Sequence, residues 1–392
     1  MAFVSEWFWF FLLLPLAALS GWVVGRRGGE RHSDTQVSRL STTYFRGLNY
    51  LLNEQPDKAI ELFLHIAELD KETFETQLAL GHLFRRRGEV DRAIRLHQGL
   101  AQRPDLSDQQ KVQALLGLGE DYMKAGLLDR AEVVFTDLAR IDQRAPQALR
   151  HLIGIYQAER DWAKAIENAT RYEAATGEPM GKLIAHFECE LAERERLAGN
   201  LEAARAAVAR AYAADSTSVR AGILEGRLET DAGNDAAAIR AYERAARHDT
   251  DFLPEVLPAL LAAYERVGDA AGARKFLAEM SEHYRGIAPV LALTRLVEAQ
   301  DGVHAAREYL TRQLKDRPSV RGEAALIDLT LAENTDLAGT LQDLRLITEQ
   351  LLVRNPSYRC NRCGFGARSH HWQCPSCKEW GTIKPLLNYA VV

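Results

Sequence analysis

Apolar positions recur in one fixed register along most of the chain. A short polar turn carrying Gly, Asp or Asn is followed by a closing alanine: EQPDKA, GEVDRA, GLLDRA, RDWAKA, GNLEAA, GNDAAA, GDAAGA and DGVHAA. The closing residues are Ala59, Ala93, Ala131, Ala165, Ala204, Ala238, Ala273 and Ala306, at spacings of 34, 38, 34, 39, 34, 35 and 33 residues. Thirteen positions before the alanine stands a leucine in most units (Leu80, Leu118, Leu152, Leu191, Leu260, Leu293). Twelve before stands a small residue in five (Gly47, Gly81, Gly119, Ala192, Gly226). An aromatic is common nine before (Tyr50, Phe84, Tyr122, Tyr156, Tyr264). An apolar chain or ring returns four after (Phe63, Phe135, Val208, Tyr242, Leu277, Leu310). Each unit therefore predicts two amphipathic helices joined by a tight turn. The small residue and the alanine let the two backbones approach, and the leucines and rings fill the space to the next pair. One such hairpin cannot bury its apolar face alone, whereas a stack of them can. A coiled coil is disfavoured, because glycine-bearing turns interrupt every unit.

This register resembles the tetratricopeptide repeat over about residues 40 to 315. Ile153, Leu261 and Thr294 depart from it, standing where the small residue belongs. Helix is predicted to continue through EAALIDLTLAE and LAGTLQDLRLITEQLLVR, residues 323 to 354, as a further pair that would cover the end of the stack. The expected fold class is all-α, a solenoid. Solenoids of this kind receive a partner segment on a curved surface, and the repeats carry no catalytic constellation that stands out. Their many carboxylates read as solvated helix faces. Arg85, Arg86 and Arg87 sit where a helix C-terminus favours positive charge. No HExxH pair occurs.

Before the repeats, Trp7 to Val24 form an uncharged run of 18 residues, with Trp7, Trp9 and Trp22 near its ends. That length just spans a hydrocarbon core of ~30 Å. Pro15 is compatible with such a helix. The only charged side chain ahead of the run is Glu6, whereas Arg26, Arg27 and Arg31 follow it. A cleaved signal peptide has the opposite order. The expectation is a retained single-pass anchor with a periplasmic N-terminus and the bulk of the chain in the cytoplasm.

After the repeats comes YRCNRCGFGARSHHWQCPSCKEWG, residues 358 to 381, holding four of the five cysteines. Cys360, Cys363, Cys374 and Cys377 are spaced C-x2-C-x10-C-x2-C. Each C-x2-C can form a tight turn that aims two sulfurs at one metal, and two facing turns give tetrahedral S4 coordination. Gly364 can supply the positive φ such a turn needs, and Pro375 stiffens the second turn. Reduced cytoplasmic thiols in a cluster bind metal more often than one another. One iron or zinc ion is expected. Four thiolates complete the shell, so His370 and His371 are read as loop or contact residues. Phe365, Trp372 and Trp380 are expected to pack around the turns. So few residues fold only with metal. The halves CxxCG and CPxC resemble the knuckles of rubredoxins, although the ten-residue insert is much shorter than in an electron carrier. Cys189, in HFECELAERE, reads as a small buried residue.

Composition changes this picture little. The chain has 392 residues, 47% hydrophobic and 26% charged, with a formal net charge of −5 and pI near 6.2. That charge argues against a general nucleic-acid binder.

An anchor, a tetratricopeptide solenoid and a terminal C-x2-C-G-F…W-x-C-P-x-C-x2-W-G-T module together resemble the lipopolysaccharide assembly protein B family over the whole chain. The resemblance is most specific at residues 358 to 385. It implies a non-enzymatic inner-membrane adaptor of Gram-negative bacteria. Such an adaptor promotes degradation of the lipid A-committing deacetylase by the membrane-bound AAA protease, with other lipopolysaccharide assembly proteins as further partners. It also implies Cys360, Cys363, Cys374 and Cys377 as metal ligands. The expected domains are an anchor (1–25), a juxtamembrane linker (26–39), the solenoid with its capping helices (40–353) and the rubredoxin-like module (354–392). The thiols leave two competing readings: an electron carrier with iron, and a zinc ribbon that binds nucleic acid.

Overall fold

A computed structural model describes residues 74–140, 145–333 and 338–386, with single positions at 46, 49, 50, 58 and 62. The expected anchor, its flanking arginines and the turn closing at Ala59 lie outside the described residues. Among the described residues no helix is long and apolar enough to cross a membrane.

The chain divides between Ile155 and Tyr156 into two compact units. The first contains α1 (Phe74–Arg87), α2 (Val90–Ala101), α3 (Asp108–Ala125), α4 (Leu128–Leu138) and most of α5 (Ala145–Glu159). Ser107 caps α3 through a reciprocal bond pair with Gln110, and Gly126 ends it at φ 75. Ala93 and Ala131 are fully buried, as their register requires. A Cβ on Gly119 would lie 2.6 Å from the Phe135 ring, and one on Gly81 would lie 2.4 Å from the His97 ring. The small residue thus makes room for the side chain four positions after the closing alanine, rather than for the alanine itself. His97 is buried and its Nδ1 lies 2.5 Å from Asp121 Oδ2, while Arg85 donates to the other oxygen of Asp121 at 2.7 Å. Arg85 and His97 thus share the buried Asp121 carboxylate inside the first unit.

The second unit carries α6 (Trp162–Thr176), α7 (Gly181–Leu197), α8 (Leu201–Ala214), α9 (Val219–Asp231) and α10 (Asp235–His248). A 3-10 turn at Thr250–Phe252 leads to α11 (Leu253–Val267), α12 (Ala270–His283), α13 (Ala288–Asp301) and α14 (Val303–Asp316). The helical pair expected at 323 to 354 forms as α15 (Val320–Glu333) and α16 (Ala338–Arg354). Ala165, Ala204, Ala238 and Ala306 are fully buried and Ala273 nearly so. The same exchange of volume recurs here. A Cβ on Gly226 would meet the Tyr242 ring at 2.4 Å, whereas the larger Ala192 shares its cluster with the smaller Val208. Where Leu261 replaces the small residue, Leu277 replaces the ring. Cys189 is fully buried, and burial pushes its thiol up to about 12.

The chain ends in a three-stranded antiparallel sheet of order β2-β1-β3, from β1 (Tyr358–Cys360), β2 (Gly366–Ala367) and β3 (Ile383–Pro385). Tyr358 sits between Ala367 and Pro385, and Cys360 opposite Ile383. This small sheet carries the two thiol turns.

Candidate metal centre

The two C-x2-C segments fold into matching knuckles. Gly364 N–H donates to the Cys360 carbonyl at 2.9 Å, and Lys378 N–H to the Cys374 carbonyl at 2.9 Å. Cys360 N–H donates to the Phe365 carbonyl, and Cys374 N–H to the Glu379 carbonyl, both at 2.8 Å. The residue after each second cysteine takes the left-handed conformation: Gly364 at φ 77, as its identity foretold, and Lys378 at φ 61.

All four Sγ atoms lie within 4.8 Å of one another. Cys360 and Cys377 are 3.8 Å apart, and Cys363 and Cys374 are 3.7 Å apart. A tetrahedron with metal–sulfur bonds of 2.3 Å requires sulfur separations of about 3.8 Å. The two closest separations match that value and all four donors face one point in space, so the set fits one ion, and zinc or a single iron suits it.

The surroundings favour thiolate. The Thr382 hydroxyl lies 3.3 Å from Cys360 Sγ, and with the N–H groups of Cys363 and Arg362 it brings that thiol down to about 6. The Phe365 N–H lowers Cys363. Burial and the neighbouring sulfurs push Cys377 up to about 12. Sulfurs this close cannot all ionise without a cation among them, so the cluster calls for a metal on electrostatic grounds.

The module packs against the second unit's helices. Where the sequence suggests that Trp372 and Trp380 pack around the knuckles, they pack instead against the helices of the solenoid. The Trp380 indole N–H donates to Gln157 Oε1 at 3.0 Å. Its ring stacks on His186 at 5.2 Å and meets Trp162 and Phe187 edge-on. Trp372 stacks on Phe252 at 5.1 Å. The guanidinium of Arg220 lies 5.5 Å from the centre of each tryptophan ring. It donates to Glu190 Oε1 at 2.7 Å and to the His186 carbonyl at 3.2 Å. Lys384 pairs with Asp249 at 2.5 Å, Tyr358 donates to Glu255, and Arg321 donates to Ser357 Oγ at 2.8 Å. Phe365 does pack on the Cys360, Cys374 and Ile383 cluster.

His370 is a contact residue, as expected, with its ring 4.5 Å from Trp372 and 5.4 Å from Phe252. His371 is exposed. Burial lowers His186 to about 3 and His370 to about 4, so both are neutral rings in this contact. Sequence reading missed Gln157, His186, Glu190, Arg220, Asp249 and Glu255. The repeat register carries no trace of them, and the one available hint was the pair of tryptophans beside so small a core.

The description of a rubredoxin metal binding domain matches residues 358–385, and that of a tetratricopeptide repeat matches residues 78–110. Lipopolysaccharide assembly protein B of Escherichia coli strain K12 is 40% identical over 378 residues, covering 96% of this chain and 97% of the relative. The protein of that name from Haemophilus influenzae is 33% identical over 388 residues, covering 96% and 98%. This chain belongs to the lipopolysaccharide assembly protein B family. The family assignment agrees with the resemblance drawn from the terminal thiol module, with the tetratricopeptide register of the helices and with a four-cysteine cluster able to hold a metal ion.

Proposed function

We propose that this protein is a non-enzymatic, membrane-anchored adaptor in the control of lipopolysaccharide synthesis. It engages the deacetylase that commits precursor to lipid A and delivers it to the membrane-bound AAA protease. The observation that carries this reading is the similarity, along nearly the whole chain, to proteins named for lipopolysaccharide assembly. The solenoid supports it by offering docking surface on successive helices. The uncharged run from Trp7 to Val24, followed by Arg26 and Arg27, supports a single-pass anchor at the inner membrane with the repeats in the cytoplasm. An anchor of that kind confines the adaptor to the plane of the protease and raises their effective concentration.

The metal at Cys360, Cys363, Cys374 and Cys377 has a structural role in this reading. Its knuckles carry the loops that present Trp372 and Trp380 to the helices, and the ten-residue insert between them is short for an electron carrier.

Depletion of the protein tests the proposal. The half-life of the deacetylase, followed after translation is stopped, is expected to lengthen several-fold. The full chain restores it, and a chain lacking residues 1–25 does not. A half-life indifferent to depletion would sink the adaptor role. Capture from membranes with the anchor intact is expected to bring down both deacetylase and protease, and recovery of neither counts against it.

A further inference from the structure

The last helix of a solenoid normally turns a polar face to water, because nothing stacks on it. Helix α16 does the reverse. Thr348 is buried against the stack with Leu341 and Leu352 half-buried beside it, while Leu344, Ile347 and Leu351 face out at 47%, 56% and 41% exposure. Those three positions are spaced by three and four residues and form one continuous stripe, whereas the other exposed apolar residues of the helix, Leu346 and Val353, lie on a different side of it.

The charges along the stripe have a twofold logic. Asp343 lies one turn before Ile347 and Arg354 two turns after it, so acid and base sit at opposite ends of the same row, both exposed. Crossing this helix antiparallel with a copy of itself between residues 347 and 348 sets Leu344 against Leu351 and brings the two Ile347 side chains together beside the twofold axis. The same crossing carries Arg354 of each copy within reach of Asp343 of the other. An isologous contact has this property, one patch complementary to itself. A parallel crossing would leave like charges side by side at both ends.

We propose that α16 pairs two copies of this chain, antiparallel, through Leu344, Ile347 and Leu351, with Asp343 and Arg354 fixing the direction. Three half-exposed aliphatic side chains offer on the order of a few hundred Å² between two copies, well under a standard interface of ~1,600 Å². A contact of that size belongs to the weak, transient class and responds to single substitutions.

The test uses the full-length, metal-loaded chain in detergent micelles, with its mass followed by sedimentation from about 1 to about 100 µM, bracketing the micromolar range. Wild type is expected to pass from monomer to dimer in that range. Ile347→Glu is expected to weaken the dimer at least tenfold. Asp343→Arg and Arg354→Asp are each expected to weaken it several-fold, and the double swap to restore it. A photo-crosslinking residue at Gln350, exposed beside the stripe, is expected to join two copies. The proposal is overturned by a wild type that stays monomeric, by an Ile347→Glu dimer as strong as wild type, or by a double swap no better than either single one. Crosslinks that run to another segment of the same chain, or to a different protein, also overturn it. The charge swaps lie on the exposed face, so they decide the matter even if Ile347→Glu fails to fold.

Discussion

Arg220 touches both tryptophans through which the module docks, and its removal tests the physical account of that contact. It is 7% exposed, placed between the rings of Trp372 and Trp380, and bonded to Glu190 and to the His186 carbonyl. Two cation–π contacts, each at 5.5 Å and so near the outer limit of about 6 Å, lie at the low end, about 0.5–1 kcal/mol each, although burial raises them. The charge-assisted bond to Glu190 adds about 1.5–3 kcal/mol, tending to the lower value because the Glu190 side chain is 30% exposed and water can replace the lost partner. Arg220→Ala should therefore cost the docked state about 3 kcal/mol, a factor of about 150 in the equilibrium between docked and released module. Hydrogen exchange of the full chain measures this directly, since amides from 372 to 382 that open on release should exchange faster by up to that factor. Tryptophan emission should shift to the red as the two indoles leave Phe252 and His186. Arg220→Lys keeps the charge but loses the planar fork, and should fall between the two. If Arg220→Ala leaves exchange in 372–382 within about threefold of wild type, with metal content and helicity intact, the guanidinium is not what holds the module.

Three further outcomes follow from the same structure. Removing the metal with a chelator should unfold residues 358–385, because Cys360, Cys374 and Ile383 are their only fully shielded apolar cluster among the described residues, while far-UV helicity changes little; loss of most helicity would contradict this. Gly226→Ala should lower the melting temperature by several degrees, at a cost of about 1–3 kcal/mol, since its Cβ would lie 2.4 Å from the Tyr242 ring. Gly154→Ala, where nothing stands within 4 Å of the Cβ position, should be neutral or gain up to about 1 kcal/mol, and equal losses at both sites would refute the packing argument. His186 is held at about 3 when docked, chiefly by burial and then by Arg220, with Asp215 opposing and His370 adding a smaller push. A histidine whose folded value is depressed contributes stability that is full above its unfolded value of about 6.5 and is lost as pH falls below it. His186 should thus weaken docking by about 1.4 kcal/mol per pH unit between about 6.5 and 5, and His370, lowered to about 4 by the same burial, adds a dependence of its own; the emission shift titrated in wild type and in His186→Gln checks this, the variant keeping the His370 share alone, and the same slope in both would refute it.

Much of the fold was legible because tetratricopeptide units repeat the same packing problem. The period fixed where each tight turn falls, and the alanines from Ala93 to Ala306 are buried as the register requires. The reason for the small residue was harder to read. Sequence alone suggested that glycine and alanine meet, whereas Gly119 and Gly226 instead accommodate the rings of Phe135 and Tyr242. That relation explains a departure such as Leu261, which pairs with Leu277 rather than with a ring. The thiol cluster was legible for a different reason: two C-x2-C turns constrain their sulfurs locally, so spacing nearly determines geometry. The docking surface had neither advantage. Gln157 and Trp380 are 223 residues apart and Tyr358 and Glu255 are 103 apart, and no local pattern links them.

The docked module also alters what kind of object the second unit is. In a plain solenoid each repeat touches only its neighbours, so stability is a sum of local terms and the stack can fray from either end. Here one small domain grips Gln157 on α5, His186 and Phe187 on α7, Arg220 on α9 and Glu255 on α11. Those side chains come from the first helices of successive repeats, and repeats that do not adjoin are tied to the same body. Such a tie adds a long-range term to an otherwise nearest-neighbour stack. Its strength is borrowed from the metal, because the module keeps its shape only while the four sulfurs share a cation. Metal-loaded, the second unit should therefore unfold as one cooperative body. Stripped of metal, it should melt over a broader range, as a linear array does, and a transition of unchanged sharpness in the metal-free protein would show that the repeats cohere without the clamp.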